Sequence, residues 1–151
     1  MIKKNLIIIL LFFLTSCGYV PMYSSENNTN FRITIIENNG DRDINNLIDL
    51  KLKRYSNENS KNNLKLKINS AYKKNSIAKD TTGNTTDYEI KISTIFQIET
   101  NGIEKQIILS ENFTFKSLSS NFEELEYEKT VKDNMVRNII QKFILQLSKL
   151  K

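Results

Sequence analysis

Three stretches between residues 64 and 115 alternate apolar and polar side chains, and this alternation is the strongest constraint on the fold. The first contains Leu64, Leu66 and Ile68, the second covers residues 88–98, and the third covers residues 107–115. Because successive side chains of a strand point to opposite faces, such segments predict a sheet with one apolar face. Residues 31–35 show the same period and predict a fourth strand.

Two segments have the period of a helix instead. Between residues 41 and 55 one apolar stripe is formed by Ile44, Leu47, Ile48, Leu52 and Tyr55, with acidic residues in the first turn and basic residues in the last. Residues 121–150 predict the longest helix, with Asn121 as its cap and Glu124 three residues later. Its apolar face is predicted to contain Leu125, Val131, Met135, Ile139, Phe143, Leu147 and Leu150.

The connections follow from local turn signals. Asn38-Asn39-Gly40 predicts a turn, residues 56–63 and 77–87 predict loops, and Asn101-Gly102 predicts a hairpin. Glu111 interrupts the apolar pattern of the last strand and suggests a bulge or an edge. Both helices and the sheet must bury their apolar faces. The predicted fold is therefore an α+β two-layer sandwich, with two helices packed on one face of a four-stranded mixed sheet.

The N-terminus predicts an exported, lipid-anchored protein. Lys3 and Lys4 precede an apolar run over residues 6–14, which is too short for a permanent transmembrane helix of about 20 residues. Leu14-Thr15-Ser16-Cys17 matches a bacterial lipobox, whose cysteine is lipidated before cleavage. We expect a signal peptide over residues 1–16, a lipidated N-terminus and linker over 17–30, and one domain over 31–151. The alternative is a short apolar helix with an incidental buried cysteine.

Composition argues against catalysis. The chain has no histidine, so catalysis by a histidine acid or base and most zinc sites are excluded. The acidic residues 123–128 could be metal ligands or a carboxylate pair, but their place at a helix N-terminus explains them without chemistry. The formal charge of +5 falls to +3 without Lys3 and Lys4, which is too weak to indicate nucleic-acid binding. We expect no enzyme, no metal site and no cofactor besides the lipid on Cys17.

The residues after the lipobox add a family resemblance. Cys17-Gly18-Tyr19-Val20-Pro21-Met22-Tyr23 resembles the Cys-Gly-(Phe/Tyr)-x-Pro-(Leu/Met)-Tyr opening of alphaproteobacterial LPS-assembly lipoproteins, the LptE family. The predicted order of elements over the rest of the chain is also similar to that family. Members sit inside a large outer-membrane β-barrel, LptD, and form with it the translocon that delivers lipopolysaccharide to the outer leaflet.

This resemblance implies an outer-membrane location facing the periplasm and the barrel lumen. The implied partners are an LptD-type barrel, which the protein would plug and help assemble, and lipopolysaccharide. Lys65, Lys67 and Lys91 on the polar sheet face are candidates for holding lipid A phosphates, and the alternative is an ordinary solvated strand face. One rival class is a periplasmic pilotin or activator lipoprotein that binds a secretin or a cell-wall synthase. The other is a lipid- or glycan-modifying enzyme.

Overall fold

The computed structural model describes residues 31–100 and 102–149, which contain four strands and two α-helices. The elements are β1 (Arg32–Gly40), α1 (Arg42–Leu52) with a 3₁₀ turn (Lys53–Tyr55), β2 (Asn63–Lys79), β3 (Thr85–Thr100), β4 (Ile103–Lys116) and α2 (Asn121–Ser148). This is the predicted order. The predictions for residues 1–30, including Cys17, and those for Asn101 and Leu150 lie outside the described residues.

The sheet has the order β1-β2-β3-β4 and is mixed, as predicted. β1 is parallel to β2, while β2, β3 and β4 form an antiparallel meander. Since α1 joins the two parallel strands, the first half of the fold is a strand–helix–strand unit. Both helices lie on the same face, with α1 over β1 and β2, α2 over β3 and β4, and the two helices in contact.

The passage from β1 into α1 depends on Gly40. Its φ is +93°, and a Cβ at this position would lie 1.8 Å from the carbonyl oxygen of Ser70 on β2. Only glycine combines that backbone conformation with so close an approach. Asp41 then caps α1, because its side chain accepts a hydrogen bond of 3.0 Å from the Ile44 amide.

The core lies between the helices and the apolar sheet face. On the sheet, its fully buried members include Leu66, Ile92 and Phe96. On α2, Phe143 is fully buried and stacks on Phe96 with ring centroids 4.2 Å apart. The predicted stripe is therefore confirmed over residues 131–147. The prediction for the first residue of the stripe is wrong, because Leu125 is 64% exposed. No helix within the described residues is long and apolar enough to cross a membrane.

The loop predicted at residues 77–87 is mostly strand. β2 continues to Lys79 and β3 begins at Thr85, so only residues 80–84 remain as a turn. The pairing extends to Lys79 opposite Thr85. Polar residues continue the ladder here because backbone hydrogen bonds to the neighbouring strand do not depend on the side chains.

Two further predictions concern Glu111 and the start of α2. β3 and β4 pair without a register shift, so Glu111 marks no bulge, whereas the alternative prediction of an edge is confirmed, because β4 ends the sheet among the described strands. The N-cap of α2 is Ser120 rather than Asn121, and Ser120 makes no side-chain capping bond. Glu124 instead accepts hydrogen bonds from the Ser117 hydroxyl and the Leu118 amide in the preceding loop.

Candidate functional site

The face of the sheet opposite the two described helices is the candidate site. Strand alternation places the exposed residues of β2 and β3, including Lys65, Lys67 and Lys91, on this face, as predicted. A groove of about 340 Å³ lies on it, beside the turn that joins β3 to β4. Lys65 and Lys67 line the groove together with Ile36, Gln97, Glu99, Glu104 and Gln106.

The two lysines of the groove are held in ion pairs across the strands. Lys65 Nζ lies 2.9 Å from Glu99 Oε1 on β3, and Lys67 Nζ lies 3.5 Å from Glu37 Oε2 on β1. All four side chains are close to half exposed. Exposed pairs of this kind contribute at most about 1 kcal/mol to stability, so an anionic ligand can displace the carboxylates at small cost.

The charges around the groove do not sum to a cationic surface. Glu104 adds a third carboxylate and has no ion-pair partner in the described part of the chain. The lining also includes Lys105, so three lysines are balanced by Glu99, Glu104 and the Lys67 partner Glu37, with amides from Gln97 and Gln106 between them. Such a surface suits a ligand that has both phosphate and hydroxyl or ammonium groups better than a simple anion.

Lys91 does not belong to this groove. It pairs with Lys73 on β2 and with Asn112 on β4, whereas Lys67 pairs with Gln97. Six residues of β3 separate the two positions, or roughly 20 Å at about 3.4 Å per residue. The structure therefore brings Lys65 and Lys67 together and leaves Lys91 in a separate basic spot with Lys73.

Sequence reasoning missed the apolar wall of the groove. The register between β1 and β2 shifts between Ile35 and Glu37, which leaves Ile36 without a partner in the ladder. Alternation points Ile36 to the open face, where it is 47% exposed and lines the groove, and the bulge brings Glu37 to the same face opposite Lys67. Two consecutive isoleucines in an otherwise alternating strand are the signal that could have indicated it.

A second charged cluster connects the long β2–β3 hairpin to α2. Lys74 Nζ lies 2.8 Å from Glu124 Oε1 and 2.9 Å from Glu128 Oε2, and it sits 4.2 Å from the centre of the Tyr88 ring. The Tyr72 hydroxyl donates a hydrogen bond of 2.7 Å to Glu128. Lys74 thus neutralises two of the four acidic residues at the start of α2, Glu124 and Glu128, and gives these two a structural role.

The pKa values of this cluster follow from burial and hydrogen bonding. Burial alone would raise the pKa of Glu128, but hydrogen bonds from Lys132, Tyr72 and Lys74 outweigh it and hold the pKa at about 2. Burial and the bond to Glu128 together raise the pKa of the Tyr72 hydroxyl above its ordinary value. Glu128 is therefore a permanent carboxylate at neutral pH, and Tyr72 a permanent hydrogen-bond donor to it.

Comparison with known proteins shows the fold but no family. No family model matches this chain, and no curated protein is similar to it in sequence. The crystal structure of rare lipoprotein B from Shewanella oneidensis has a TM-score of 0.54 at 13% identity, over 78% of this chain and 98% of that one. The solution structure of uncharacterized lipoprotein B from Nitrosomonas europaea has a TM-score of 0.55 at 13% identity, over 88% of this chain and 92% of that one. The chain therefore shares the fold of these lipoproteins.

Proposed function

We propose that this protein is a lipid-anchored component of the outer-membrane machinery that assembles lipopolysaccharide, bound inside an LptD-type β-barrel. It acts without catalysis, as a plug and as an assembly factor for the barrel. Cys17 carries the lipid anchor, and residues 18–30 connect the anchor to the folded domain.

The observation that carries this proposal is the agreement between the fold and the N-terminal sequence. The described residues share the fold of proteins called lipoproteins, and the sequence Leu14-Thr15-Ser16-Cys17 is a lipobox. The order of elements in the structure is the order that the resemblance to the LptE family implies. The fold is formed by residues 31–149 and the lipobox by residues 14–17, so the two features lie in separate parts of the chain.

The physical requirements of a plug fit the described domain. A barrel lumen is wet and polar, so its occupant needs a polar surface that retains its hydration. The open sheet face supplies such a surface through Lys65, Lys67, Gln97, Glu99 and Gln106. A lipid tether near the barrel raises the effective concentration of the domain, so that modest contacts give a lasting complex.

Direct binding of lipopolysaccharide is the finer part of the proposal. The groove of Lys65 and Lys67 offers ammonium groups for lipid A phosphates, and its amides and carboxylates offer partners for sugar hydroxyls. Lys91 lies too far away to hold the same phosphate. We therefore expect Lys65→Ala with Lys67→Ala to weaken binding more than Lys91→Ala does. Lys129→Ala on α2 is the matched control for loss of one exposed lysine.

The partner is tested by purification of the tagged full chain from detergent-solubilised membranes, followed by mass spectrometry. We expect an LptD-type barrel in a one-to-one ratio, and depletion of the protein should lower the amount of mature barrel. Recovery of a secretin or a cell-wall synthase, with barrel abundance unchanged, would establish the pilotin or activator alternative.

The anchor is tested separately by intact mass. The mature protein should begin at Cys17 with acyl chains attached, and Cys17→Ala should lose membrane fractionation. Normal processing and fractionation of Cys17→Ala would contradict the lipobox interpretation while leaving the fold untouched.

A further inference from the structure

The outer edge of β4 is a long strand edge with no neighbour in the described part of the chain. Within the described residues β4 pairs only with β3, and it does so over all 14 residues without a register shift. Edge strands of natural proteins are blunted by bulges, prolines or inward-facing charges. β4 has no bulge and no proline, and of its two charges on the helix side, Lys105 and Glu111, Glu111 is already paired with Lys142 of α2. Among the described residues, therefore, no strand occupies the outer edge of β4, which can accept another strand.

The exposed apolar residues of β4 are arranged symmetrically. Ile103 is 65% exposed, Ile108 is 61% exposed and Phe113 is 39% exposed, at intervals of five residues along the strand. An antiparallel copy of β4 related by a two-fold axis at Ile108 sets Ile103 opposite the second copy's Phe113. The same axis sets the two Ile108 side chains opposite each other. All three exposed apolar positions of β4 thus meet an apolar partner.

The charges of β4 match in the same register. Lys105 is exposed and forms no ion pair in the described chain, and the two-fold axis places it opposite Glu111 of the second copy. Alternation puts both residues on the helix side of the sheet, so their side chains can meet. The pairing recurs on the other side of the axis, and no residue faces a like charge.

Neighbouring registers are less complementary. With the two-fold axis at Leu109, Ile107 would face Glu111 of the second copy. With the axis at Glu111, the two Glu111 carboxylates would face each other. An axis at Ser110 matches Glu104 with Lys116 and Phe113 with Ile107, but it places Ile108 opposite Asn112 and leaves Ile103 beyond the end of the second β4. Only the axis at Ile108 satisfies the apolar and the charged residues together.

We propose that β4 is a self-association edge, to which a second copy of this chain adds its own β4 antiparallel with Ile108 on the two-fold axis. The product is a continuous eight-stranded sheet with all helices on one face. This pairing concerns the free chain and does not depend on the proposed barrel partner, because the second strand comes from the protein itself.

The association is tested with the full chain in detergent by analytical ultracentrifugation over a range of concentrations. Wild type should sediment as a dimer at the upper concentrations. Ile108→Lys places two ammonium groups together at the axis and should raise the dissociation constant by at least about tenfold. Ile77→Lys is the matched control, since Ile77 is 51% exposed but lies on β2. A monomeric wild type, or an unchanged dissociation constant in Ile108→Lys, would overturn the proposal.

The register is tested by disulfide formation under mild oxidation. Opposed residues in antiparallel strands have Cα atoms about 4.5–5.5 Å apart, which is within disulfide range. Ile108→Cys should therefore cross-link into a dimer, whereas Ser110→Cys should not. Wild type, whose only cysteine is Cys17, measures the background. Preferential cross-linking through Ser110→Cys would place the axis elsewhere and refute this register.

Discussion

Phe143→Ala tests how the two layers of the fold are held together. Phe143 is fully buried, with 0% of its surface exposed to solvent. Its ring stacks on that of Phe96, with the ring centroids 4.2 Å apart. Truncation of a buried phenylalanine to alanine costs about 3–5 kcal/mol, because transfer free energy is lost and a cavity remains. The aromatic pair adds about 0.5–1.5 kcal/mol beyond the buried area. The loss should therefore consume a large part of a domain stability of about 5–15 kcal/mol.

The assay is urea unfolding of the full chain, followed by circular dichroism. Phe122→Ala is the matched control, because Phe122 lies on the same helix and is 72% exposed. Its substitution should change the free energy of unfolding by less than about 0.5 kcal/mol. A loss below about 1 kcal/mol for Phe143→Ala would mean that this face of α2 does not cover the sheet, and would contradict the two-layer packing.

Three further predictions concern individual residues. Thr94→Val should raise stability by about 1 kcal/mol in urea unfolding, because the buried Thr94 hydroxyl has no hydrogen-bond partner within the described residues; a loss of stability would contradict this reading. Glu128 has a folded pKa of about 2, below its ordinary 4.5, so its stabilisation is complete above pH 4.5 and is lost as the pH falls towards 2. At most about 3 kcal/mol depends on this group, and Glu128→Gln should flatten that part of the pH–stability curve. Gly40→Ala should destabilise far more than Gly83→Ala: both glycines have positive φ, but only at Gly40 would the new Cβ collide with a backbone oxygen. Equal losses of thermal stability in the two variants would contradict the close approach to Ser70.

The site shows what sequence could and could not predict. Alternation correctly assigned Lys65, Lys67 and Lys91 to one face, because the face depends only on odd or even position along a strand. Their separation could not be predicted, since it depends on which residue of β3 pairs with which residue of β2. The ion-pair partners Glu37 and Glu99 come from other strands and follow from the same register. The sequence therefore identified the face that carries the lysines but not the groove.

Sequence by itself determined the elements and the fold class. The helical and strand periods specify which residues need burial, and Gly40 marks a point where the chain must turn. Because the apolar faces of the helices and of the sheet can be buried against each other, the result is a fold of two layers. Only the tertiary structure decided the details that depend on a partner distant in sequence. Glu111 forms an ion pair with Lys142 of α2, and the strand accommodates it without a bulge. Glu124 forms an ion pair with Lys74 of β2 instead of capping its own helix. Local sequence patterns indicate that a residue needs burial or a charged partner, whereas the tertiary packing determines which distant residue provides that contact.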